Sequence, residues 1–104
     1  MTSKPIQRRV GSFILRKMFN DGHYYERTKS GNLREDVKSQ GHPSPLKSGH
    51  PICTYSQFVV YFDDETNQEV ARVHQYKLPN GSIGGALGRP DPKRLIIDGI
   101  IYIP

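Results

Sequence analysis

A chain of 104 residues is one domain's worth of sequence and can bury only a modest core. With 35% apolar and 24% charged residues, including four phenylalanines and six tyrosines, it holds too many core formers to be a disordered segment. The formal charge of +5 is lopsided: residues 1–50 hold ten Lys/Arg against four Asp/Glu, and residues 51–104 five against six, which points to an anionic partner.

No apolar run approaches the length that spans a bilayer, and Arg16 and Lys17 interrupt the Val10–Phe19 stretch, so neither a membrane partner nor a signal peptide is expected. A single cysteine, Cys53, has no internal disulfide partner; that fits a reducing compartment, and a cytoplasmic location is the expectation.

In chain order, residues 1–5 read as a loose tail. Ile6, Val10, Phe13, Ile14 and Met18 then recur at helical spacing, and Leu15 and Phe19 widen the stripe; Asn20-Asp21-Gly22 reads as the stop. His23–Lys29 is compatible with a second helix or an irregular segment, and Leu33–Lys38 with a helical turn. Residues 39–51 read as a Gly/Pro/His-rich loop in which Gly-His-Pro occurs at 41–43 and again at 49–51.

A β-hairpin is expected from about Gln57 to Lys77, with Asp63–Gln68 as its turn. Pairing Phe62 with Glu69 sets Val60 opposite Ala71 and Phe58 opposite Val73, which makes Phe58, Val60, Phe62, Ala71 and Val73 the core face. Tyr55, Gln57, Arg72, His74 and Tyr76 then fall on the outer face. Residues 78–94 read as a Gly/Pro-rich basic loop. Leu95–Ile103 follows as two apolar strands about Asp98-Gly99, a type I′ turn sequence. Apolar on both faces, this second hairpin suits a buried position or an oligomer contact. The sum is a single α+β domain over 1–104, an N-terminal helix packed on an antiparallel sheet of about four strands.

Five side-chain sets bear on chemistry. His74, Arg72 and Tyr76 are the catalytic candidates: imidazole moves protons near neutral pH, guanidinium holds phosphate, and phenol orients or stacks. Tyr55, Gln57 and Lys77 beside them, with Arg89, Lys93 and Arg94 from the basic loop, are the binding candidates. Within that loop, residues 81–89 are glycine-rich enough to approach an anion, yet lack the Gly-Lys-Ser/Thr of a P-loop. His42, His50, Cys53 and His74 match no zinc-ligand spacing, so no metal or other cofactor is expected; Cys53 as a nucleophile lacks any group to activate its thiol. Finally, Lys4, Arg8, Arg9, Arg16, Lys17, Arg27, Lys29, Arg34 and Lys38, interleaved with Tyr24 and Tyr25, form a basic N-terminal surface suited to a phosphate backbone.

No motif names a reaction. A helical N-terminus, an antiparallel sheet, small size and a basic His/Arg/Tyr face together resemble small bacterial ribonuclease toxins, a likeness of architecture that carries over no residue. The expectation is a small basic domain that meets nucleic acid, RNA above all, as a metal-independent ribonuclease. The alternative is a non-enzymatic binding module for a nucleic-acid or protein partner.

Overall fold

The computed structural model describes residues 6–42, 51–84 and 88–104. Its elements are β1 (Ile6–Arg9), α1 (Ser12–Asp21), α2 (Tyr24–Ser30), β2 (Leu33–Gly41), β3 (Tyr55–Asp63), β4 (Glu69–Lys77), β5 (Asp91–Ile97) and β6 (Ile100–Ile103). The strands form one six-stranded sheet in the order β1-β6-β5-β4-β3-β2. From β2 to β6 it is an antiparallel meander, and β1 joins the far edge parallel to β6. The class is α+β, and the sheet is larger than the four antiparallel strands expected, and mixed.

Both additional strands come from stretches with no strand signal. Ile6–Arg9 continues the helical spacing on paper, but Gly11 stands at φ 83°, ψ 157°, a backbone region open essentially to glycine alone, and breaks the stripe. Upstream of it the chain is a fully exposed strand, Ile6 pairing with Ile100 and Arg9 with Ile103. β2 is the opposite edge: only Leu33 is buried, so alternation cannot reveal it, and its conformation is set by pairing with β3. It extends to Gly41 into the expected loop, while residues 43–50, His50 included, lie outside the described residues, as do 1–5 and 85–87. Likewise β5 begins at Asp91, inside the expected basic loop.

α1 and α2 cover one face of the sheet. On α1 the buried residues are Leu15 and Phe19, one turn apart, while Phe13 and Ile14 of the expected stripe are exposed. α2 buries Tyr24, stacked on Phe19 at 5.7 Å. Beneath the helices lie Leu33, Val59, Tyr61, Ala71, Val73 and Leu95. Full burial of side chains such as Leu15, Phe19 and Val59 is worth about 1.5–3 kcal/mol each.

The hairpin of β3 and β4 is present, but its faces are exchanged. Phe62 does pair with Glu69; then Tyr61 pairs with Ala71, Val59 with Val73 and Phe58 with His74. Val70 is the unmatched residue, a β-bulge that slips the remaining register by one and swaps the faces of the β3 side chains. The helix side of β3 is therefore Val59 and Tyr61, both fully buried, in place of Phe58 and Phe62, which are half-buried; Val60 is buried as expected, but on the opposite face. The terminal hairpin closes as its sequence indicates, with Asp98 at φ 52° and Gly99 at φ 77°, and β6 is flanked by β1 rather than lying open. No helix among the described residues is long and apolar enough to cross a membrane.

Candidate functional site

Cross-strand rows define the face away from the helices. Arg34, Phe62 and Glu69 form one row; Asp36, Val60, Arg72 and Arg94 the next; Ser39, Phe58, His74 and Asp91 the third; Gly41, Ser56 and Tyr76 the last. The last two rows, with His42 just beyond the end of β2, border an open concavity of about 380 Å³ lined by Ser39, Gln40, Gly41, His42, Ser56, Phe58 and His74.

His74 is its most constrained side chain. Nε2 shares a hydrogen bond with Ser56 Oγ at 2.7 Å, and the Tyr76 ring meets the imidazole edge-on at 4.9 Å. Burial pushes the His74 pKa below the ordinary imidazole value, the Lys93 charge pushes it further down, and Asp91 opposes both. Lys93 is paired with Asp91 at 2.9 Å, and Asp91 is the β5 residue in register with His74. Burial and Lys93 thus favour the neutral imidazole, whose nitrogen lone pair is able to take a proton. The second histidine bordering the concavity, His42, has its ring against Tyr55 at 4.3 Å.

Of the residues singled out from sequence, His74, Arg72, Tyr76 and Arg94 share this outer face. Arg72 is held by Glu69 at 2.8 Å, and Arg94 reaches the other oxygen of the same carboxylate at 3.6 Å. The bulge moves Tyr55 and Gln57 to the helix-side register, where Tyr55 pairs with Lys77. There Gln75 donates to Gln57 and Gln57 to Gln40, at 2.8 and 2.9 Å, a chain that satisfies the buried Gln75 amide. Tyr55 touches the site through His42.

Arg89 does not converge with His74. It donates to Asn20 at 3.0 Å, pairs with Glu26 at 2.7 Å and lies over the Tyr25 ring, which ties the β4–β5 connection to the helices. Glu26 attracts it there; hydrogen bonding from Arg89 and its charge outweigh burial and hold the Glu26 carboxyl below its usual range.

Ser56 is a site residue that sequence reasoning missed, and His42 stands out in the sequence only with His50, Cys53 and His74 as a metal-ligand set. Ser56 follows from the bulge, which no sequence pattern announced. His42 sat in a presumed loop, although its Gly-His-Pro context did place it on extended backbone. Among the described residues no group of three or more His, Cys, Asp or Glu side chains gathers as a metal site. Compared with protein-family models, curated proteins and solved structures, the chain has no significant match.

Proposed function

We propose that the protein is a metal-independent ribonuclease whose site is the concavity on the open face of the sheet. The observation that carries this reading is that two histidines, His74 and His42, line one concavity, with the His74 imidazole hydrogen-bonded to the Ser56 hydroxyl at 2.7 Å. Strand cleavage by the RNA's own 2′-hydroxyl needs one group to take a proton and another to give one. A neutral His74 removes the 2′-hydroxyl proton, the 2′ oxygen attacks phosphorus, the bond to the 5′ oxygen breaks, and His42 protonates the departing oxygen. The products are a 2′,3′-cyclic phosphate and a 5′-hydroxyl. The Ser56 hydroxyl marks the reach of Nε2, since 2.7 Å is proton-transfer distance. Tyr76 fixes the imidazole plane. Lys93, whose charge reaches His74, and Arg72, two residues along the same face of β4, oppose the negative charge that grows on phosphate.

The test is incubation of purified protein with end-labelled RNA in excess chelator. Cleavage to cyclic-phosphate ends, with DNA of the same sequence left intact, is the expected result, and His74→Gln lowers kcat by about 10²–10⁴-fold. Intact RNA, or cleavage by His74→Gln at the wild-type rate, overturns the reading. A second reading, a module that binds single strands without cutting them, draws on Arg72 and Arg94 both being held by Glu69. It predicts RNA binding that His74→Gln leaves unchanged, with no cleavage by either protein.

A further inference from the structure

Phe62 lies on the outer face at the opposite end of β3 from Ser56, half-buried, with two cations on it. The Arg34 guanidinium sits 5.3 Å from its centroid and the Lys38 ammonium 5.7 Å. Neither cation is placed by chance. Arg34 donates to the Asn67 side-chain oxygen across the β3–β4 turn, and Asn67 holds that position in a left-handed conformation, φ 59°. Lys38 is paired with Asp36 at 2.7 Å and falls at the bulge between Val37 and Ser39, the irregularity that lets β2 present it toward Phe62. Such a ring-and-guanidinium surface is what unpaired bases stack on, and an ammonium beside it suits the connecting phosphate.

The spacing to the concavity matters. Phe62 and Phe58 are four residues apart on one strand, about 13 Å, and Phe58 is the residue opposite His74. That distance is roughly four stacked nucleotides at 3.4 Å each, fewer when the strand is extended. Between the two ends lies the row with Arg72 and Arg94. Across the outer-face rows the four cations Arg34, Lys38, Arg72 and Arg94 stand against three carboxylates, Asp36, Glu69 and Asp91, so the path is net positive by one charge.

We infer that the substrate is an unpaired RNA strand several nucleotides long, laid along β3, with a base remote from the cleaved bond stacked on the Arg34–Phe62–Lys38 platform. This rests on the ribonuclease reading for its chemistry, while the platform itself is a binding site that can be measured without cleavage.

Two measurements test it. In the first, fluorescence anisotropy follows an eight-residue oligo-deoxythymidine, which lacks the 2′-hydroxyl and cannot be cut by the proposed route. Phe62→Leu weakens its binding roughly 5- to 150-fold, the worth of one stacked base, and Phe62→Tyr, which keeps a ring, restores it; circular dichroism and thermal melting establish that each variant is folded. In the second, kcat/KM for an RNA octamer exceeds that for a dinucleoside monophosphate, and Phe62→Leu erases the difference while leaving dinucleotide turnover unchanged. Wild-type binding by a folded Phe62→Leu protein overturns the inference, as does equal turnover of octamer and dinucleotide. If no RNA is cut but Phe62→Leu still loses the deoxyoligomer, the ribonuclease reading fails and the platform stands.

Discussion

His74 is held between two opposite charges, and that makes its protonation a test of its surroundings. Burial first, then Lys93, lowers its pKa, and Asp91 pulls the other way. A base is active once deprotonated, so with His74 as the proposed base the acid limb of kcat/KM is expected below the 6.5 of an ordinary imidazole. Lys93→Gln removes a charge that disfavours the imidazolium and moves that limb upward. Asp91→Asn removes the opposing charge, leaves Lys93 unpaired and moves it downward. Imidazole proton resonances followed through pH report the same two shifts whether or not RNA is cleaved; shifts of the same sign in both variants would show that these charges do not govern His74. The stability consequence has one sign. The unfolded chain takes up the histidine proton at the ordinary value and the folded chain only at lower pH, so this site costs stability as pH falls through that window.

At the scale of elements, the outcome depends on single residues that break patterns. The β3–β4 hairpin and the Asp98–Gly99 turn were legible because their apolar alternation and turn chemistry are local. β2 was not, because an edge strand with one buried residue carries no alternation to read. β1 was not, because its four residues extend a helical spacing that ends at Gly11. The candidate site divided along the same line: Arg72, His74 and Tyr76 came from β4, whose faces were assigned correctly, whereas the β3 partners were displaced by Val70, an extra β-branched residue indistinguishable in sequence from an ordinary strand position. Gly11 offers the cleaner test. Nothing lies within 4 Å of where its Cβ would sit, so any cost of Gly11→Ala is conformational and not a clash. At φ 83°, ψ 157° that cost is about 1–3 kcal/mol, read as a lower denaturation midpoint with an unchanged m-value. A neutral Gly11→Ala would mean that β1 leaves the edge of β6 without loss, and that the parallel pairing contributes nothing to stability.

Among the described residues the sheet is two-sided: helices cover one face, and the other carries rows of polar, aromatic and charged side chains around the buried Val60. The chain's net charge is +5 with the excess in its first half, but β2, the edge strand next to the concavity, is itself balanced, Arg34 and Lys38 standing against Glu35 and Asp36. Arg34, Lys38, Arg72 and Arg94 lie on the outer rows, and each cation that meets a phosphate releases a counterion. For single strands the slope of log K against log salt is about −0.7 per contact, so four contacts give about −2.8 and a loss of about 50-fold between 50 and 200 mM. Replacing Arg34 by Gln should flatten the slope by about 0.7, whereas His74→Gln, a neutral imidazole exchanged for a neutral amide, should leave it unchanged. Titrations of a labelled single strand at four or five salt concentrations measure all three slopes. A slope near zero for the wild-type protein would mean that the cations remain with Glu69, Asp36 and Asn67 in the complex, and that the open face recognises something other than a phosphate backbone. On the proposed ribonuclease reading the comparison also separates the two ends of the path: Arg34→Gln is expected to change the salt response, and His74→Gln the turnover.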